Sequence, residues 1–193
     1  MMINAATKLF RALDRELWIV TSQAGELKSG LVSTSLSQAS IDEKNPRLTI
    51  GLSTRHLTSE LVSESGRFVA HLVSHEQTSW IRHFGTQSGR DIDKFDTVDF
   101  FHSEQGIPIL KDAQAWLECR VENVMKTGDR HWYLAEIVDS HWTESFHPLT
   151  FHNFLAQADD HLRALLKNQL EEDTLIDRRM IVDWRRSQTS DDR

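Results

Sequence analysis

The alternation of apolar and polar positions divides the chain into segments of distinct period. Residues 3–15 carry Ile3, Ala6, Leu9, Phe10 and Leu13 at three- and four-residue spacings, which predicts an amphipathic helix. The following "LWIVTSQAGELKSGLVSTSLSQASI" is rich in β-branched and aromatic residues and is broken at Gly25, which predicts a hairpin. After a turn cluster at 42–46, "RLTIGLST" at 47–54 predicts another strand. "HLTSELVSESG" predicts a helix with Thr58 as N-cap, Leu61 and Val62 turned inward, and Gly66 as its stop. "RFVAHLVS" alternates as a strand, and "HEQTSWIRHFG" predicts a second short helix ended by Gly85. A charged stretch, "SGRDIDKF" at 88–95, comes next.

The clearest β signal is "AWLECRVENVMKTGDRHWYLAEIVDSHW", two alternating runs around the hairpin turn "KTGD". Beyond Pro148 the period changes. Residues 150–186 form a helical pattern with Phe154, Leu155, Leu162, Leu165, Leu166 and Leu170 as its apolar stripe, and the polar tail "RRSQTSDDR" is expected to fray. About six strands with short helices between them predict a small antiparallel barrel. Regular strand–helix alternation, the mark of a doubly wound sheet, is missing. The expected organisation is a barrel domain with its N-terminal helix over residues 1–149, and a helical extension over 150–193 packed on the barrel or on a second copy.

Composition narrows the function classes. At 193 residues with 39% hydrophobic and 26% charged content, the chain suits one globular domain. A net charge of -7 without a basic stripe argues against nucleic-acid binding. No apolar run reaches the roughly 20 residues that span a bilayer. The amphipathic start "MMINAATKLFRALDREL" lacks the features of a signal peptide, so a cytoplasmic protein is expected. The lone Cys119 lies in an alternating run and is expected to be a buried packing residue.

The common chemical motifs are missing: there is no GxGxxG after a strand, no GxxxxGK[ST], no HExxH and no GxSxG. The ten histidines are dispersed, and the nearest sets, His71 with His75 and His147 with His152, lack a third ligand, so no metal site is expected. Two segments stand out. "SGLVSTSLSQAS" at 29–40 sets hydroxyls at Ser33, Thr34, Ser35 and Ser37 along a strand, which suits either a wetted sheet face or a face that donates to phosphate or carbonyl oxygens. Gly30 would let a ligand or another backbone approach closely. "STRHLTSEL" at 53–61 joins a strand end to a helix N-terminus, placing Arg55, His56 and Thr58 where an anion would dock, unless Thr58 serves as a plain cap.

These segments also carry a resemblance. "SGLVSTSLSQASID", "LSTRHLTSELVSESGRFVAHLVS", "HFGTQSGRDIDKF" and "GIPILKDAQAWLECRV" resemble, in order, four blocks of the flavin reductase-like family. The third is similar to that family's F-G-x-x-S-G-R-D-x-D-K-F loop. The matches run from about residue 17 to 149. The resemblance implies an FMN-binding split β-barrel, mainly β with flanking helices and Greek-key-like, extended here by C-terminal helices. It implies a homodimer binding FMN, with FAD possible, reduced by NADH or NADPH and able to supply a flavin-dependent monooxygenase. Carried over by position, it implies cofactor contacts from Gly30, Val32, Ser33, Thr34 and Ser35, from Ser53, Thr54, Arg55, His56 and Thr58, and from Phe84, Gly85, Arg90 and Lys94. "PLTFHNFLA" keeps Pro148, Leu149 and His152 of a family segment whose histidine flanks the flavin, which makes His152 a catalytic candidate. Two other readings stay open: an FMN protein that carries electrons or stores flavin, or an FMN-dependent oxidoreductase acting on another small substrate. The departures are Val32 in place of a common Thr, a longer turn at "DEKNP", and the whole region after 150.

Overall fold

The computed structural model describes residues 4–191. Ile3, at the start of the first expected helix, lies outside them. Helix α1 (Ala5–Ala12) is capped by the Asn4 side chain, which accepts from Thr7 N at 2.8 Å. Strands β1 (Trp18–Ala24) and β2 (Leu27–Ser33) form the first hairpin, turned by Gly25 at φ 56. Then come β3 (Leu36–Gln38), β4 (Arg47–Ser53), α2 (Leu57–Ser65) and β5 (Arg67–Leu72). A 3-10 turn leads into α3 (Thr78–Gly85), and β6 (Phe100–His102) and β7 (Pro108–Leu110) form a small separate ribbon. The long hairpin is β8 (Ala115–Lys126) and β9 (Arg130–Trp142), followed by α4 (Phe151–Gln157) and α5 (Asp160–Asp191).

Seven strands make one sheet in the order β2-β1-β5-β8-β9-β4-β3, every neighbouring pair antiparallel. Its edges, β2 and β3, are consecutive in the chain, and only Thr34 and Ser35 separate them. In a flat sheet the edges would stand about 29 Å apart, at roughly 4.8 Å per strand spacing. The link spans at most about 11 Å. The sheet must therefore curl until its edges nearly meet, and Gly51 N of β4 donates to Ser35 O at 3.0 Å at that seam.

Two cores result. Val20, Leu48, Ile50, Phe68, Ala135 and Tyr133 fill the curled sheet. Leu17, Ile19, Phe84, Phe95, Leu110, Phe154 and Leu162 form a second cluster, which joins β1 to α3, the loop after it, α4 and the start of α5. Cys119 is fully buried in the first core, where burial raises its thiol pKa.

Three expectations need correction. The N-cap of α2 is His56, with Thr58 inside the first turn, because the chain leaves the extended conformation two residues earlier than the hydroxyl suggests. Gly66 does end that helix, at φ 66. Where fraying was expected, residues 185–191 of the polar tail continue α5 as helix. The short strands β3, β6 and β7 escape sequence reading because three residues are too few to show a period.

His71 is fully buried on β5. Its Nδ1–H donates to Ile19 O at 3.0 Å and its Nε2 accepts from Leu110 N at 3.1 Å, which fixes the neutral tautomer. Burial lowers its pKa from 6.5 to about 4. In that interval the unfolded chain holds a proton that the folded chain excludes, so stability falls as pH drops through it and levels off below about 4. Urea titrations at pH 7, 5.5 and 4.5 should show this loss in the wild type, and a smaller loss in His71→Gln. Equal slopes in both proteins would dismiss His71 as the source.

Candidate functional site

A cavity of about 480 Å³ lies between β2, the start of α2, the end of α3 with the loop after it, and α5. A smaller one of about 200 Å³ opens at the barrel seam. Both are lined by Leu31, Val32, Arg55, His56 and Asp173, so they adjoin. Together they match the 300–1,000 Å³ typical of small-molecule sites.

The local fold explains these positions. The β2–β3 link exposes Ser33, Thr34 and Ser35 to the smaller cavity, where Ser53 faces them from the end of β4. The chain then turns into α2, so Arg55, His56 and Thr58 gather at a helix N-terminus, where the free N–H groups and macrodipole favour an anion. Thr58 donates to Ser29 Oγ at 3.1 Å, and both side chains are buried. Gly89 packs directly on Ser29, since a Cβ there would stand 2.3 Å from its hydroxyl.

Two polar atoms here are unfinished. Ser53 Oγ and Arg55 Nε are buried without a hydrogen-bond partner. Such groups normally have one, at a cost of about 1–3 kcal/mol each when they do not. Arg55 Nη2 donates to Asp173 at 2.7 Å and lies 3.5 Å from Asp177, both on α5. Arg130 approaches the other Asp177 oxygen at 3.7 Å. Burial pushes the Asp177 carboxyl above its ordinary range, against the pull of Arg130 and Arg55. Burial, and then the neighbouring Arg55, lower the His56 pKa, so its ring is neutral at pH 7 and offers a hydrogen bond without charge.

The two cations of "SGRDIDKF" separate. Arg90 turns away to pair with Glu60 on α2, and lines neither cavity. Lys94 lines the larger cavity, with its Nζ donating to Gly30 O and Phe84 O at 2.8 Å each. Asp93 fixes the loop by accepting from Phe95 N at 2.8 Å and pairing with Lys28 at 3.0 Å. Phe84 and Gly85 line the same cavity. What approaches Gly30 is the Phe84 ring, which a Cβ would meet at 2.7 Å.

Thr54 and His152 are not brought to the cavities. Thr54 N donates to Asp129 O at 3.1 Å, in the turn between β8 and β9. His152 sits on α4 against α1, with Nε2 3.0 Å from Arg11 O. Sequence reading missed Ser29, Gly89, Arg130 and the α5 residues Gln169, Glu172 and Asp173. A signal for the last group exists: Leu162, Leu166, Gln169, Asp173, Asp177, Met180 and Trp184 follow a three- and four-residue spacing, so acidic residues interrupt an otherwise apolar stripe.

The antiparallel half-barrel with a cavity at its seam is the FMN-binding fold of flavin reductase-like proteins. Residues 10–156 match the family described as "Flavin reductase like domain", and the chain belongs to that family. It is 32% identical over 139 residues, 70% of its length, to a putative diflavin flavoprotein A 6 of Nostoc sp.. It spans only 24% of that relative. Among solved structures, the NADH:FAD oxidoreductase of Streptomyces globisporus C-1027 superposes with a TM-score of 0.69 at 21% identity, covering 78% of this chain and 92% of that one. The nitrilotriacetate monooxygenase component B of Mycobacterium thermoresistibile superposes at 0.66 with 21% identity, covering 76% and 82%. Among the described residues, no helix is long and apolar enough to cross a membrane, and no cluster of three or more His, Cys, Asp or Glu could hold a metal ion.

Lys94 yields a prediction. Burial lowers its pKa from 10.5 to about 8. Between these values the unfolded chain binds more protons, so Lys94 adds stability as pH rises from 8 to 10.5. Its neutral amine still donates to both carbonyls. Lys94→Met should cost about 2–3 kcal/mol at pH 7 by stripping two buried acceptors. The wild type minus variant difference should widen toward pH 10 in chemical denaturation. A difference that narrows would contradict this account.

Proposed function

We propose that the chain is an FMN-binding, NAD(P)H-dependent flavin reductase whose cofactor phosphate sits where the two cavities join. The observation that carries this reading is the pair of buried, partnerless groups at that junction, Ser53 Oγ and Arg55 Nε, beside the N-terminus of α2. A hydroxyl and a guanidinium N–H at a helix N-terminus are donors suited to phosphate oxygens. Ser33, Thr34 and Ser35 add hydroxyls for a polar chain such as ribityl, and the larger cavity leaves room for a ring system.

The flavin, when bound, accepts hydride from the nicotinamide and carries the redox chemistry. This chain's residues bind, orient and shield. Lys94 lends positive charge to the wall between β2 and the end of α3, which favours anionic character at a ring lying there. His56 donates or accepts a hydrogen bond without adding charge near the phosphate. Phe84 supplies an apolar wall. Hydride transfer to the flavin itself requires no acid–base side chain.

By analogy with the family, the unit is proposed to be a homodimer. The likeness to a nitrilotriacetate monooxygenase component B supports a flavin-dependent oxygenase as the acceptor of reduced flavin. One observation favours a second reading. Gln169, Glu172 and Asp173 of α5 wall the larger cavity, which suits a flavin retained as a fixed prosthetic group.

The experiment is a flavin titration followed by anaerobic addition of NADH, then NADPH. Binding of FMN with bleaching of its absorbance is expected. Turnover of excess free FMN marks the reductase, whereas bleaching limited to the bound equivalent marks the retained-flavin reading. Failure to bind any flavin would remove both. Arg55→Ala should weaken FMN about tenfold to a hundredfold, the size of one charge-assisted hydrogen bond, and leave riboflavin unchanged. Titration by fluorescence quenching checks this, with circular dichroism confirming the fold.

A further inference from the structure

Helix α5 lines the candidate cofactor site and rests on Arg55, whose Nε has no hydrogen-bond partner. Asp173 and Asp177, one turn apart, both approach Arg55 Nη2, at 2.7 and 3.5 Å. Arg130 is drawn into the same cluster through Asp177 and Asp129. The helix is held on both sides of this contact. On one side Leu162 is buried in the second core, with Leu166 packed against it. On the other, Met180 and Trp184 lie against Gly128 in the turn between β8 and β9. A Cβ at Gly128 would stand 2.7 Å from Trp184 Cβ and 2.8 Å from Met180 O, and φ there is +90. Glycine is what admits the helix so close.

A carboxylate and a phosphate present the same feature to a guanidinium, anionic oxygens that accept its N–H groups. In this structure two carboxylates already neutralise Arg55, while its Nε stays without a partner. A phosphate dianion entering there meets a cation whose charge is spent, together with two like charges a few ångströms away. A ligand of the same shape without a phosphate meets no such opposition.

We propose that α5 is an internal anionic competitor for the phosphate site: Asp173 and Asp177 hold Arg55 in the place of a ligand phosphate and set how strongly a phosphorylated flavin binds relative to its dephosphorylated form. The proposal rests on the flavin-nucleotide reading of the cavity. It makes the two aspartates affinity-determining residues of this chain's own extension, in the region where the sequence departs furthest from its family.

The test compares the full-length wild type with Asp173→Asn/Asp177→Asn, which keeps side-chain shape and one acceptor oxygen on each but removes the charge. FMN, riboflavin and inorganic phosphate are each titrated into both. The double variant should bind FMN about tenfold more tightly, the scale of relieving opposed like charges. Riboflavin affinity should stay within about twofold, below the resolution of a charge effect. Gly128→Val, whose added carbons meet Trp184 and Met180, should unseat the far end of α5 and also tighten FMN selectively. FMN binding that is unchanged or weaker in the double variant overturns the proposal. Equal tightening of FMN and riboflavin also overturns it, because the helix would then act by bulk. Tighter inorganic phosphate in the double variant with no flavin bound by any protein would keep the competition for Arg55 and overturn the flavin reading. Unchanged phosphate together with no flavin binding overturns both.

Discussion

The fold and its site depend on a length constraint. Two residues, Thr34 and Ser35, must connect opposite edges of a seven-stranded sheet. No flat arrangement satisfies that link, so closing the chain at this point and curling the sheet are one event. The seam so produced cannot be packed like a strand interior, because its backbone turns there instead of pairing. It becomes a small polar recess lined by the hydroxyls of the link and of the end of β4. The placement of Ser33, Thr34 and Ser35 beside Ser53 is thus a by-product of topology.

Around the recess, packing is tight where it fixes backbone and loose where a ligand is expected. The Phe84 ring presses on Gly30, Gly89 presses on Ser29, and Lys94 ties β2 to the end of α3. These contacts hold three separate chain segments in register at the wall of the larger cavity. His71, buried in the interior, has both ring nitrogens engaged, whereas Arg47 Nε and Thr150 Oγ1 are buried without a partner away from the cavities. Ser53 Oγ and Arg55 Nε differ in that they line the cavity at the seam, where a ligand can supply the missing partner.

Much of this was legible in the sequence, for physical reasons specific to each element. The long β8–β9 hairpin announces itself because its alternation is sustained over more than two turns' worth of period and broken only at "KTGD". The hydroxyl cluster at 33–35 and the strand-to-helix turn at 53–58 were visible as polar groups in places that ordinarily bury apolar ones. Arg90 and Lys94, by contrast, stand four residues apart in one loop, and sequence alone gives no means of deciding which points inward. The structure does so by placing Glu60 within reach of the first and two backbone carbonyls within reach of the second. The acidic face of α5 escaped because a charge on a long helix is ordinarily solvated. Its meaning depends on Arg55, more than a hundred residues away in the chain.

Strand β2 is an edge, and sheet edges present unpaired backbone groups on which another extended segment can pair. Here a charged side chain from a distant loop is planted on Gly30 O of that edge, with a bulky ring stacked against the same glycine. A second chain adding itself alongside would have to displace a buried ammonium and a phenyl ring together. The contact that shapes the cavity wall therefore also works as a guard against self-association by strand addition, protecting the open side of a barrel that never fully closes.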